Sequence, residues 1–190
     1  GHSVLVQPGK DGSLYLLDAE HLGIQYERLQ IVDICGTPSD PCTASWMGMI
    51  VTHPALAYID GDPIIIIPAF MPDKTHPAGV FAFKVILENG SPKLKQVWRK
   101  PDLVGGKAVQ GFRSHPSFPV ISGESVSGEP IVWVVDVGAK GTLYGIRIRD
   151  GAVLVEQALV GSGRQLSSPL FFHDVVYLAS IIPTTGKTFV

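Results

Sequence analysis

The chain has 190 residues, of which 45% are hydrophobic and 17% charged, and its formal net charge is −2. A charged share below the ~25% usual for soluble domains predicts a chain that buries most of itself in sheets or leaves apolar surface for a partner. The longest basic run is Arg99-Lys100 and the apolar runs are strand-sized, which argues against a nucleic-acid-binding surface and a membrane-spanning helix.

The amino end predicts a β-hairpin. Ser3 to Gln7 leads through a turn that contains Asp11-Gly12 to the apolar segment Ser13 to Asp18. Asp-Gly supplies the positive φ angles of a tight hairpin, so we expect the second half of a repeat unit here. No signal-peptide pattern follows Gly1, and we therefore expect a mature, trimmed or partial chain.

The two cysteines, Cys35 and Cys42, are seven residues apart in a loop that contains a glycine and two prolines. Such a loop can fold back and close a disulfide, which predicts an oxidising location, either periplasmic or extracellular. Two free buried thiols are one alternative. A metal site is another, although the nearest downstream histidine, His53, does not have finger-like spacing.

Two segments, Thr52 to Val85 and Ser114 to Ile148, share a His-Pro start, a Gly-acid-Pro middle and a glycine before the last strand. The distance from the first proline to that glycine is 25 residues in both, between positions 54 and 79 and between positions 116 and 141. The run Ile64 to Ile67 has no polar residue, so we predict a strand that is buried on both faces. A shorter third copy begins at Ser167.

Each copy predicts three strands joined by tight turns, and a fourth strand follows at Leu94 to Trp98 and at Val153 to Gln157. Four-stranded antiparallel units that recur every ~40 to 60 residues are typical of propeller blades. An all-β sandwich is the alternative, but it does not predict matched internal spacing. We therefore predict an all-β β-propeller domain over residues 1–190, an incomplete ring of about three to four blades at roughly 1–50, 51–110, 111–160 and 161–190.

Ser167 to Ser180 and Gly9 to Asp18 resemble the PQQ-like, quinoprotein-type β-propeller repeat. The resemblance covers nearly the whole chain, with Gln30 to Trp46 least accounted for, and it implies the fold. The family includes quinoprotein dehydrogenases as well as non-catalytic scaffolds. Its dehydrogenases lock neighbouring blades with a tryptophan a few residues beyond a glycine turn, and Trp98 matches that blade-docking position. The other copies lack this tryptophan, and the dehydrogenases' adjacent Cys-Cys pair is absent.

His53 and His115 precede a proline at equivalent places in two copies, and Ser168 fills the same position in the third. The first strand of a propeller blade is innermost, so we expect these three residues to face the central channel. One interpretation makes them contacts for a ligand or a metal ion. The plainer one has them hydrogen-bond the neighbouring blade, as buried polar groups usually do.

Arg113 and Arg164 lie just upstream of the first strand in two copies. A guanidinium group suits an anionic quinone such as PQQ, and it suits an acidic side chain of a neighbouring blade equally well. Family dehydrogenases also use calcium, but no dense loop of oxygen ligands is present, and we predict no metal site and no catalytic residue. Turn chemistry explains each candidate acid: Asp11, Asp62, Asp136 and Asp174.

The sequence therefore predicts a non-catalytic propeller that acts as a scaffold or protein-interaction module, with no cofactor. An open ring leaves unpaired edges and apolar faces, so we expect it to be part of a larger chain or assembly, with the remaining blades or other chains as partners. The main alternative is a fragment of a PQQ-dependent quinoprotein dehydrogenase with PQQ and calcium. A carbohydrate-binding or ligand-binding propeller that uses Trp46 or Phe112 is the third possibility.

Overall fold

The computed structural model describes residues 2–9, 11–31, 52–72, 77–104, 107–108, 112, 116–123, 129–137, 141–163, 168–181 and 188–189. In this part of the chain every regular element is a β-strand, which confirms the predicted all-β class. None of its segments forms a helix with the length and apolar character needed to cross a bilayer.

Three larger sheets are antiparallel, and strands that follow one another along the chain are neighbours in the sheet. Sheet 1 contains β1 (Val4–Pro8), β2 (Ser13–Asp18) and β3 (Gln25–Gln30). Sheet 2 contains β4 (Ala55–Ile59), β5 (Asp62–Pro72), β6 (Pro77–Glu88) and β7 (Ser91–Lys100). Sheet 3 contains β10 (Val120–Ser122), β11 (Ile131–Asp136), β12 (Thr142–Arg147) and β13 (Val153–Ala158).

Short strands make up the remaining pairings. β8 (Leu103–Val104) pairs with β9 (Lys107–Ala108) between sheets 2 and 3. After sheet 3, β15 (Leu170–Phe172) and β16 (Val175–Tyr177) form a hairpin. A further three-stranded sheet has the order β14 (Ser162–Gly163), β17 (Ser180–Ile181) and β18 (Thr188–Phe189).

Tight turns with left-handed backbone set the hairpins. Asn89 and Gly90 have φ angles of 51° and 80°, and Asp60 and Gly61 have 54° and 88°. Glycine and asparagine reach this region at the lowest cost, and the paired positive φ angles match the twist of the flanking strands. The predicted Asn-Gly hairpin is therefore confirmed.

The matched 25-residue spacing of the two copies conceals a difference in how those residues are used. In sheet 2 the first turn is only Asp60-Gly61, and β5 and β6 are 11 and 12 residues long. In sheet 3 the corresponding connection runs from 123 to 130, and β11 and β12 have 6 residues each. A longer stretch between the strands in sheet 3 thus offsets their shorter length.

Sheet 2 lies between the other two sheets and buries side chains on both of its faces. Along β5, Ile64 and Ile66 belong to the core shared with sheet 3, whereas Ile67 belongs to the core shared with sheet 1. Ile65 is partly buried against that second core. Because successive side chains of a strand point to opposite faces, a fully apolar run requires cover on both sides. The prediction for Ile64 to Ile67 is confirmed.

The first strands of the successive units lie side by side, with β10 next to both β4 and β15. At the opposite edge of the sheets, β3 lies against β7. The sheets are thus stacked in chain order with corresponding edges together. A radial arrangement that closes into a ring remains a prediction.

Candidate functional site

The residues that we expected at a channel begin with His53, which precedes β4 and is exposed. Its ring stacks on that of Phe118, just before β10, with centroids 4.4 Å apart and planes 7° from parallel. The His53 Nδ1 atom lies 3.2 Å from the Pro54 carbonyl oxygen. His53 therefore joins the β4 edge of sheet 2 to the β10 edge of sheet 3. Ser168 is also exposed, two residues before β15, and the channel role of both residues stays a prediction.

Several predicted positions lie outside the described residues: His115, Arg113, Arg164, Cys35, Cys42 and Trp46. The disulfide and the quinone-binding arginines therefore stay predictions as well.

Trp98 on β7 connects sheet 2 to sheet 3. Its side chain is buried in the core between the two sheets, and the indole Nε1–H donates a 2.7 Å hydrogen bond to the Ile148 carbonyl. The ring also covers Gly151, which has a φ of 73° and where an added Cβ would lie 2.8 Å from the indole. The indole can pack here only because residue 151 has no side chain. The geometry is that of a sheet-docking side chain, and its equivalence to the family's blade-docking tryptophan is a proposal.

An ionic network joins the same two sheets at their turns. Arg149, which follows β12, donates hydrogen bonds of 2.5 and 3.0 Å to the two carboxylate oxygens of Asp60, in the β4–β5 turn. Arg149 Nε also lies 3.0 Å from Glu129. Arg147 contacts Glu129 at 3.3 Å and pairs with Asp150 through bonds of 2.9 and 2.7 Å. Two arginines and three acids therefore hold neighbouring turns in register.

These contacts shift the acid–base properties of the network. Hydrogen bonding from Arg147, supported by the Ala152 backbone N–H, lowers the pKa of Asp150 to about 2. The bidentate bond from Arg149 lowers the pKa of Asp60, and the same bond raises the pKa of the arginine. These side chains are exposed, apart from the half-buried Arg147. Solvent therefore screens each pair, and the network favours one register more than it adds stability.

Sheets 1 and 2 are joined by one acidic side chain. Glu27 on β3 accepts a 2.6 Å hydrogen bond from the Leu94 backbone N–H on β7, and Lys93 Nζ lies 3.7 Å from its other oxygen. A carboxylate that accepts a strand N–H fixes the position of β3 against β7, because charge-assisted hydrogen bonds are short and directional.

Arg99 on β7 faces the interior of the stack beside Phe81. Its guanidinium carbon lies 4.9 Å from the Phe81 ring centre, which is within cation–π range. Burial lowers the pKa of Arg99, and the charge of Asp102 partly offsets that shift. No described residue accepts a hydrogen bond from its buried Nε and Nη2 atoms. The aromatic face is thus the favourable contact that the described residues provide.

A cavity of about 170 Å³ lies between the end of β7 and sheet 3. Lys100 and Asp102, which form a 2.7 Å ion pair, stand at its wall with Glu156. Phe112 lines it too, but this ring is 7% exposed and packs against Tyr144 at 4.8 Å between centroids. Phe112 is therefore part of the core, and a carbohydrate-stacking role for it receives no support.

The acidic residues considered as calcium ligands do not form a cluster among the described residues, and Asp11 has a local structural role. Asp11 accepts hydrogen bonds from the Tyr15 hydroxyl at 2.5 Å and from Arg28 at 3.0 Å. Burial raises its pKa, but these bonds and those from Ser13 outweigh that effect, so the pKa is lowered overall. Among the described residues, no three His, Cys, Asp or Glu side chains gather into a group that could hold a metal ion.

The β15–β16 hairpin carries an exposed apolar face. Leu170 is directly opposite Tyr177 and Phe172 is opposite Val175, so all four side chains share one face. Their exposed fractions are 62%, 42%, 56% and 47%. We call these four residues the end face. Large apolar side chains grouped in this way are typical of a surface that another protein element covers.

No protein-family model matches the chain, and no curated protein is detectably similar to it. The resemblance to PQQ-like repeats therefore depends on the repeat residues themselves.

Three contacts between sheets were not predicted from the sequence: the Arg149–Asp60 pair, the Glu27 hydrogen bond and the packing of Trp98 on Gly151. The Arg149–Asp60 pair joins positions 89 residues apart. The one usable signal was Asp60-Gly61, whose turn chemistry places Asp60 at a sheet end. It does not reveal which cation lies opposite.

Proposed function

We propose that this chain is a non-catalytic β-propeller segment of the PQQ-like type that acts as a scaffold or protein-interaction module within a larger chain or assembly. The observation that carries the proposal is the stack of sheets 1 to 3, which bury apolar faces against each other, together with the exposed end face on the hairpin that follows sheet 3 in the chain. Its partner is another antiparallel sheet with an apolar face, from remaining blades or from another protein chain.

The nature of the contacts between sheets supports this proposal. The two cores consist of aliphatic and aromatic side chains from facing sheets, together with buried Trp98. The end face has the same kind of side chains and no charged residue among its four members. Apolar surface of this type gains ~25 cal/mol per Å² when it is buried, so covering it favours association.

We expect the purified chain to associate through the end face, because other copies are the only sheets available to it. Sedimentation velocity over a wide concentration range should show concentration-dependent oligomers. Phe172→Lys, which places a charge in the end face, should sediment as a monomer. Leu87→Lys is the matched control, since Leu87 is 65% exposed at the far end of β6, and it should behave as the wild type.

A wild-type chain that stays monomeric at every concentration would contradict the proposal. So would dye-linked oxidation of an alcohol after the chain is incubated with PQQ and calcium, because that result would identify a quinoprotein dehydrogenase.

A further inference from the structure

In the part of the chain that the structure describes, sheet 1 has three strands, whereas sheets 2 and 3 have four. Its strands cover only part of sheet 2. β3 lies against β7, and the core between the two sheets draws its residues from β5, β6 and β7 on the sheet 2 side. The inner strand of sheet 2, β4, has no described strand of sheet 1 opposite it.

The uncovered part of β4 carries large apolar side chains. Leu56 is directly opposite Ile65, whose side chain packs into the core shared with sheet 1. Opposite residues share a face, and so do residues two apart along a strand, so Leu56 and Tyr58 both face the side of sheet 1. They are 50% and 60% exposed. On the other face of the same strand, Ala57 is fully buried against sheet 3.

Among the described residues, no strand pairs with the edge of β1 that faces away from β2. The Gly9 N–H donates a 2.8 Å hydrogen bond to the Ser13 carbonyl oxygen, and the Ala19 N–H donates a 3.0 Å bond to the Ser3 carbonyl oxygen. In an antiparallel ladder, every second residue exchanges hydrogen bonds with its partner strand. In the register of β1 with β2, Leu5 and Gln7 are therefore bonded to β2. The N–H and C=O groups of Val4 and Val6 point away from it.

We propose that the space bounded by the free edge of β1 and by Leu56 and Tyr58 is an acceptor site for a β-strand. An incoming strand would run antiparallel to β1, bond to the backbone of Val4 and Val6 and place alternate apolar side chains on Leu56 and Tyr58. The partner is an extended segment with apolar residues at every second position. β4, which fills the same place in sheet 2, is apolar at all five of its positions and so meets this requirement.

The site rests on the proposed function, because it names how an interaction module would bind one partner. Continuity of the stack supports this choice of occupant. In sheets 2 and 3 the inner position is taken by the module's own strands, β4 and β10, which are neighbours. A strand in the acceptor site would extend that contact between inner strands to sheet 1.

The test uses a synthetic peptide with the sequence of residues 52–60 and the complete 190-residue chain. On binding, amide exchange at Val4 and Val6 should slow, while that at Leu5 and Gln7, already bonded to β2, should not change. Leu56→Lys should weaken binding in calorimetry by about tenfold or more, because the apolar surface that the peptide would bury on Leu56 is lost and a charge takes its place. Leu87→Lys should bind as the wild type, and a peptide with proline at its central position should not bind.

Equal affinity for the wild type and Leu56→Lys would overturn the acceptor site, and so would unchanged exchange at Val4 and Val6 or no binding at all. These failures are distinct from failure of the proposed function. If the chain self-associates through Phe172 but does not bind the peptide, the proposed function holds and the acceptor site is wrong. If the chain binds the peptide but never self-associates, the acceptor site holds and the proposed function is wrong.

Discussion

Trp98 and Gly151 fix how sheet 3 sits against sheet 2. The indole N–H satisfies a backbone carbonyl that is otherwise buried, since Ile148 has no exposed surface. A buried carbonyl without a donor costs about 1–3 kcal/mol. Apolar contact alone would permit many arrangements of the two sheets. This hydrogen bond stabilises one of them.

Replacing Trp98 by Phe keeps an aromatic ring but removes that donor. We expect Trp98→Phe to lower the free energy of unfolding by about 1–3 kcal/mol, measured by urea denaturation. The control is Val97→Ala, next to it on β7 and 39% exposed, which should change stability by less than about 0.5 kcal/mol. Equal losses in the two variants would show that the hydrogen bond does not matter.

Asp150 predicts a dependence on pH. Its pKa of about 2 in the folded chain lies below its usual value of 3.8, so its contribution to stability is complete above the usual value and disappears as pH falls towards 2. Asp150→Asn should therefore be less stable than the wild type at neutral pH, and the difference should shrink across that window. Urea denaturation at several pH values measures it.

The control for this titration is Val97→Ala, an exposed change on β7 that alters no charge, whose small difference from the wild type should stay constant across the same pH range. A gap between Asp150→Asn and the wild type that stays constant from neutral pH to strong acid would contradict the assignment.

At the scale of elements, turn chemistry predicted the hairpins well. Asn89-Gly90 marks the turn between the long strands β6 and β7, and both residues have positive φ angles. Strand lengths were less predictable, because counting residues between a proline and a glycine does not say how many of them lie in strands. The eight residues between β10 and β11 in one copy and the long β5 in the other gave equal spacing for this reason.

The β15–β16 turn is built from residues less suited to it. His173 and Asp174 have φ angles of 48° and 60°, which cost most residues roughly 1–2 kcal/mol each. Asp174→Gly should therefore raise the free energy of unfolding by about 0.5–1 kcal/mol, measured by urea denaturation. The opposite change, Gly90→Ala, should lower it by about 1 kcal/mol.

Gly90 is a clean comparison because an added Cβ would meet no atom within 4 Å, so only backbone strain changes. If Asp174→Gly left stability unchanged while Gly90→Ala lowered it, the two turns would differ in strain despite their similar φ angles.

At the scale of the whole molecule, the apolar pattern predicted that sheets stack, since Ile64 to Ile67 needs cover on both faces. It did not predict the partners across each contact. Glu27 meets the Leu94 backbone 67 positions away, and no local pattern encodes that meeting. The three-stranded sheet 1 likewise leaves Leu56 and Tyr58 uncovered, which becomes visible only when the sheets are placed together.

The doubly covered strand β5 has a further consequence. Four consecutive isoleucines combine high β-propensity with no charge, the kind of segment that assembles into cross-β fibrils when it is bare. Sheets 1 and 3 cover this segment and thereby prevent it from pairing with other copies. A proteolytic cut or a fusion boundary that detaches either neighbour would expose this segment and make the protein prone to form amyloid.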